Sequence, residues 1–242
     1  MSLVKFLSAF VFPSSRRHAF RERANVRKLR RDNVVEVADA DFARLRLRVK
    51  GTGNRIVVGK MAPVKGVLTI SVFGSGCVVE IGQGLNLEKS LRITIVQDHP
   101  DFGPVKDVRV SIGEYVGFNG KASVTTYNSH ARVEVGDRCM FGADATLMQT
   151  DGHPICDLAT DRVVNLVTTL HVGSHVWSGS RVTYLKNAFV ADDCVVGLGS
   201  VVAGKFAEPH SVIAGNPAVS RRVGVTWKYG DPAFVANEQE SS

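Results

Sequence analysis

The side chains best equipped for acid–base or nucleophilic chemistry crowd into one stretch, Thr150-Asp151-Gly152-His153-Pro154-Ile155-Cys156-Asp157. It holds an imidazole, which can take and return a proton near neutral pH, a thiol, and two carboxylates, Asp151 and Asp157, either of which could orient the ring. A histidine in a loop is more often merely solvated, so residue type alone leaves His153 undecided. A double displacement through Cys156 is disfavoured, because nothing nearby in sequence is placed to lower the thiol's pKa. Three other histidines read as bland. His175 falls between repeat positions and reads as a surface residue, and His171 and His130 close loops and read as structural. His171 and His175 are wrongly spaced for a three-histidine zinc centre, and no metal is expected. The sequence has no Walker loop, dinucleotide fingerprint, nucleophile elbow or zinc-type cysteine pair.

The elements that must position these residues follow a six-residue beat. Val172, Ser178, Tyr184, Val190, Val196 and Val202 keep it without a break, and Val176, Val182, Ala188, Cys194 and Ser200 follow four residues behind. Such a beat marks a solenoid whose short strands bury one face only when successive coils stack. Groups of three hexads start at Val58, Ile81, Ile112, Val135, Val172 and Val190, separated by 23, 31, 23, 37 and 18 residues. Three hexads make one triangular coil, so the excess is loop extruded at corners. The two longest loops are His99–Ser111 and 153–171, and long loops in a tight repeat tend to carry function. Glycine follows each of these leads except Val190 (Gly59, Gly82, Gly113, Gly136, Gly173), and Gly197 follows the later lead Val196. Glycine there suggests corner backbone angles that other residues resist.

The 242 residues suit one domain with appendages: residues 1–33 a basic helical segment, 34–218 the solenoid, and 219–242 a polar C-terminal tail carrying Trp227 and Tyr229. Val35-Glu36-Val37 and Leu45–Val49 alternate and read as irregular opening coils. Four cysteines without a CxxC pair fit a reducing cytoplasm. The net charge of +7 is concentrated in Arg16, Arg17, Arg21, Arg23, Arg27, Lys28, Arg30 and Arg31, after an apolar run too short to span a membrane. A helical cap over the open end of the solenoid, peripheral contact with an anionic membrane face, or binding of an anionic polymer would each use this segment. Nucleic acid is not expected, since no recognised binding module accompanies the charge.

The hexad run, Asp151-Gly-His-Pro-Ile155, Val172-Gly-Ser-His-Val-Trp-Ser-Gly179, Val196-Gly-Leu-Gly-Ser-Val-Val202 and the closing Gly215-Asn-Pro-Ala218 together resemble the left-handed parallel β-helix acyltransferases with hexapeptide repeats, which use acetyl-CoA. Within them the chain looks most like the sugar and polysaccharide O-acetyltransferases, including those that modify capsular polysialic acid. The resemblance implies a mainly β left-handed parallel β-helix, a homotrimer with active sites between subunits, acetyl-CoA as cosubstrate and a carbohydrate acceptor. It implies His153 as general base for direct transfer and Trp177 lining the acceptor groove or holding the thioester arm. An N–H donor for the carbonyl oxygen is expected near Gly179. Gly197, Gly199, Ser200, Val202 and Ala203 match the stretch along which pantetheine lies, and Asn216, Pro217 and Ala218 the stretch near the adenine. Lys205, Arg221 and Arg222 are placed to meet CoA phosphates. Departures from the pattern are Ser178 and Tyr184, both at positions normally aliphatic, and Ala203-Gly204-Lys205. The Tyr184 ring is therefore expected to face the groove as an acceptor contact, and His99 is a second candidate. An N-acetyltransferase acting on an amino sugar, a metal-dependent hydratase and a non-catalytic scaffold are the competing readings.

Overall fold

A computed structural model describes residues 13–38, 41–95 and 105–230, with helix side chains from residue 17 onward. Twenty-two strands among these residues fall into three sheets of eight, seven and seven. The chain runs round a triangular prism from face one to face two to face three, as in Thr169–Val172, Trp177–Ser178 and Thr183–Tyr184, then returns to face one at Phe189–Val190. Every lateral pairing is parallel except the last, in which Val212–Gly215 turns back on Ala218–Arg222.

The hexad leads stack as the beat requires. Val37, Val58, Ile81, Ile112, Val135, Val172 and Val190 are successive partners on face one. From Val58 onward their side chains are buried. Phe118 and Phe141 stack at 4.8 Å, and Tyr184 meets Phe141 edge-on at 6.2 Å, so aromatic rings fill the axis where the middle coils would otherwise be loosely packed. The opening coils are strands as well: Val34–Val37 and Leu45–Lys50 lie in register with Arg55–Val58 and Val67–Phe73.

The corner glycines serve a purpose other than the one their sequence suggests. Gly59, Gly82, Gly113, Gly136 and Gly173 are absent from the positive-φ residues. A Cβ on Gly82 would lie 2.7 Å from the Gly113 carbonyl, and one on Gly113 2.7 Å from that of Gly136. They are small because coils approach closely at this corner. The left-handed turn sits two residues later, where Gly84, Tyr115 (φ 55), Arg138 (φ 53), His175 (φ 54) and Asp193 (φ 58) occupy equivalent positions.

The helix Pro13–Leu29 lies along Leu45–Lys50, the first strand of face three. A terminal strand leaves alternate N–H and C=O groups without a neighbour, and here helix side chains supply the partners. Glu22 accepts from the Leu47 N–H at 3.3 Å, Asn25 donates to the Leu47 carbonyl at 3.1 Å, and His18 Nε2 meets the Leu45 carbonyl at 2.8 Å. Val26 is buried on the same side of the helix.

Candidate functional site

Two long segments interrupt the coils, and both join face three to face one. One lies between Ser90–Ile95 and Arg109–Ile112, the other between Ala145–Met148 and Thr169–Val172. They therefore leave the same prism edge. Each ends sooner than its sequence suggests, since Ser111 and His171 already belong to strands of face one. His99 lies outside the described residues.

The second loop begins on a buried polar root. Gln149 and Asn187 exchange side-chain bonds, Asn187 N–H to Gln149 Oε1 at 2.9 Å and Gln149 Nε2 to Asn187 Oδ1 at 3.3 Å. Asn187 Oδ1 also accepts from the Thr168 N–H at 2.9 Å, and its Nδ2 donates to the Leu166 carbonyl at 3.2 Å. Its neighbour Lys186 reaches the other strand of the loop, with Nζ 2.6 Å from Asp151 Oδ2 and 3.2 Å from the Asn165 carbonyl. Two consecutive residues at the corner of the following coil thus hold both feet of the loop.

Asn165 ties the feet together. Its Nδ2 donates to Asp151 Oδ2 at 2.8 Å and to the backbone carbonyl of His153 at 2.9 Å, while its Oδ1 accepts from the Ile155 N–H at 2.8 Å. The Lys186 ammonium and the Asn165 amide hold the Asp151 carboxyl below its ordinary range. Asp157 accepts from the N–H groups of Ala159 and Thr160 and from the Thr160 hydroxyl, and these bonds lower its pKa too. Asp151 and Asp157 both shape the loop that carries His153, and Asp151 lines the same cavity as His153.

His153 lines a cavity of about 450 Å³ with Asn128, His130, Asp151, Asn165, Leu166 and Thr168, among others. The loop also exposes Ile155, Leu158, Val163, Val164 and Leu166, of which Val163 and Leu166 line the cavity. His130, with a φ of 62°, stands 3.7 Å from Asp107. His171 stacks on Phe189 at 4.8 Å and faces Glu134 at 3.3 Å.

The residues matched to the acyl donor lie elsewhere. Trp177 is on face two; Gly179, Gly197, Gly199 and Ser200 are at the edge between faces two and three; Asn216 and Pro217 form the turn between Val212–Gly215 and Ala218–Arg222, and Ala218, Arg221 and Arg222 belong to its second strand. Val202 and Ala203 lie at the end of face three, and Lys205 opens the last strand of face one. The cavity lined by His153 contains none of them.

Their backbone is less available than the sequence implies. The N–H groups of Gly179, Gly197 and Gly199 donate to the carbonyls of Val196, Ile213 and Ser180. Ser200 is buried, with its hydroxyl donating to Gly197 and accepting from the Gly215 N–H. These small residues offer close approach, not free donors, and an oxyanion donor at the Gly179 N–H itself is ruled out by its bond to Val196. Thr183 and Leu185 donate to the carbonyls of Ser200 and Val202, which turns the backbone of Val201 away from the stack on the terminal strand of face three.

Tyr184 requires a correction. Its ring is 0% exposed, inside the prism, and cannot contact an acceptor. The two departures from the hexad pattern explain each other: the short Ser178 side chain leaves room, and the Tyr184 hydroxyl donates to Ser178 Oγ at 3.0 Å. Burial holds the phenol far above its ordinary pKa, only partly offset by the bond to Ser178.

His175 and Trp227 were legible as residues but not as a pair. Trp227 stacks on His175 at 4.6 Å and donates from its indole N–H to the His175 carbonyl at 2.8 Å, while His175 Nδ1 lies 2.8 Å from Asp193. This folds the segment after the last strand back over face two. There Trp177 (43% exposed), Trp227, Lys228, Tyr229, Met140 and Asn119 line a second cavity of about 640 Å³.

No family model matches the chain. A polysialic acid O-acetyltransferase of Escherichia coli O1:K1 / APEC is 29% identical over 140 residues, covering 58% of this chain and 45% of that protein. A galactoside O-acetyltransferase of Escherichia coli strain K12 is 32% identical over 85 residues, covering 35% and 41%. The chain thus spans less than half the length of these curated relatives. Among solved structures, the polySia-specific acetyltransferase NeuO superposes with a TM-score of 0.59 at 22% identity, covering 82% of this chain and 99% of that one. The polysialic acid O-acetyltransferase OatWY gives 0.53 at 21%, covering 81% and 98%. The fold is therefore the solenoid that the hexad beat marks, in the left-handed parallel form that the family resemblance implies, against the usual right-handed preference for parallel crossovers.

Proposed function

We propose that the chain is an acetyl-CoA-dependent O-acetyltransferase acting on a hydroxyl of a sugar or acidic polysaccharide, with His153 as the general base. The observation that carries the reading is the His153 cavity, a concave site of mixed polar and apolar lining on a loop pinned at both feet. A sugar hydroxyl is a weak nucleophile until a base takes its proton during attack. His153 accepts that proton as the hydroxyl oxygen bonds to the thioester carbonyl carbon. The tetrahedral oxyanion collapses, the C–S bond breaks, and the imidazolium returns its proton to the CoA thiolate. The net change is ester plus free thiol from alcohol plus thioester.

The donor stretch and His153 occupy different edges of one prism, which supports a site completed by a second copy of the chain in a homotrimer. Trp177 and the Val201–Ala203 edge then flank the thioester arm, and Lys205, Arg221 and Arg222 meet the phosphates as basic partners. An acidic acceptor is the reading that the polysialic acid O-acetyltransferases among its relatives support.

The test is incubation with acetyl-CoA and a panel of acidic and neutral glycans, read by mass spectrometry for acetyl gain. Transfer to an acidic glycan should fall by about 100-fold or more in His153→Ala while acetyl-CoA binding persists. Near-normal transfer in that variant refutes the role of His153, and no transfer to any glycan refutes the activity.

A further inference from the structure

The capping helix has two chemically different sides, and the structure sorts the basic cluster between them. Its inner side is used up by the fold: His18, Glu22 and Asn25 bond the edge strand and Val26 is buried. Two of the cations are also engaged there. Arg23 sits over the Phe42 ring at 5.4 Å, and Arg30 donates to the Val35 carbonyl at 2.9 Å. The outer side is what remains. Arg17, Phe20, Arg21, Ala24, Arg27 and Lys28 recur at helical spacing, and all are exposed. Arg17, Arg21, Arg27 and Lys28 make no ion pair among the described residues, and Glu22, the acid of this helix, faces inward. Phe20, 73% exposed, stands in the middle of the cations.

We infer that this outer side is a docking surface for an anionic lipid bilayer. A stripe of cations attracts either a charged membrane face or a soluble polyanion, and Phe20 separates the two. A bilayer offers an apolar layer just beneath its anionic headgroups, in which an aromatic ring can be buried. A carboxylated polymer in water offers none. The sequence just ahead of the helix, with Phe6, Leu7, Phe10, Val11 and Phe12, has the same preference. The inner-side bonds fix the rotation of the helix, so the cations and Phe20 face outward together. No helix among the described residues is long and apolar enough to cross a membrane. The inference does not depend on the acetyl-transfer reading.

Co-sedimentation of the full chain with vesicles of phosphatidylcholine, with and without phosphatidylglycerol, tests it. Binding should require phosphatidylglycerol and weaken steeply with salt. Each of Arg17→Gln, Arg21→Gln, Arg27→Gln and Lys28→Gln should weaken it roughly five-fold, from the attraction of one cation to an anionic surface. Phe20→Ser should weaken it by roughly ten-fold or more with the charge unchanged. These positions are exposed, so the variants should keep their thermal midpoints, and a circular-dichroism melt verifies this. Equal binding to both vesicle types overturns the inference. So does unchanged vesicle binding in the four-fold glutamine variant, or a Phe20→Ser variant that binds like the parent. A soluble carboxylated polysaccharide provides the last arm: if Phe20→Ser weakens binding to the polymer but not to vesicles, the surface belongs to the polymer.

Discussion

Asn165→Ala isolates what the pinned loop contributes to transfer. The substitution deletes bonds to Asp151, to the His153 carbonyl and to the Ile155 N–H, at 2.8, 2.9 and 2.8 Å. A protein hydrogen bond contributes a net of about 0.5–1.5 kcal/mol, and these are solvent-accessible, so the low end applies and about 1.5–2 kcal/mol of loop anchoring disappears. The prism itself is untouched, because the loop lies outside it, and the thermal midpoint should stay close to that of the parent. A catalytic group displaced by about 1 Å can lose about 100-fold in rate. Asn165→Ala should therefore lower the transfer rate by about 10- to 100-fold with little change in the affinity for acetyl-CoA. Because Asn165 acts through His153, its effect should vanish in the His153→Ala background, where the residual rate no longer depends on ring placement. Kinetics of the two single variants and the double variant provide the test. A near-parental rate for Asn165→Ala, or losses that multiply fully in the double variant, would refute the reasoning.

Three further outcomes follow from the geometry. Tyr184→Phe and Ser178→Ala should each lose about 1–3 kcal/mol by orphaning a buried hydroxyl, while the double variant should lose clearly less than their sum; additivity in urea unfolding would mean that the bond at 3.0 Å contributes nothing. Gly113→Ala should destabilise by about 1–3 kcal/mol, since the added carbon runs into Asp137 Oδ1 and meets the Gly136 carbonyl at 2.7 Å, and an unchanged midpoint would mean the coils can separate freely there. The depressed folded pKa of Asp151 means that its bonds stabilise the loop above the ordinary value of 3.8 and are lost only as pH falls through the lower folded value. The effect on stability is small because the pair is only half-buried and solvent screens it. Lys186→Met should move the Asp151 titration, followed by carbon NMR, back up toward 3.8, and a titration that stays put would remove Lys186 as the cause.

The register of the prism could be read from residues alone, because each coil repeats one constraint: an aliphatic lead every six residues with one side facing the axis. Val172 and Val190 pair as the beat requires, and so do Ser178 and Val196. What could not be read is what depends on residues far apart in sequence. Ser178 and Tyr184 each break the pattern when taken singly and satisfy it together. The corner glycines suggest unusual backbone angles because glycine permits them, yet the coil above, invisible to a one-dimensional pattern, is what forbids a side chain. The candidate site shows the same limit. His153 stood out by its motif, but Asn165, Lys186 and Asn187, which hold its loop, carry no motif and act across folded distance. Trp227 read as part of a polar tail, because a lone aromatic after the last repeat gives no sign of the imidazole it covers.

A stack of parallel rungs has no intrinsic length. Any molecule ending in an open rung could accept the first rung of another and grow into a fibre. This chain blocks one face at each end by different means. At its start, on face three, the carbonyl and amide of Leu47 are already occupied by Asn25 and Glu22, so an incoming strand finds no partner there. At its finish, on face two, Ala218–Arg222 runs antiparallel to Val212–Gly215, and a further parallel strand has nothing to copy. Each terminator removes one of the three faces on which another rung would have to pair.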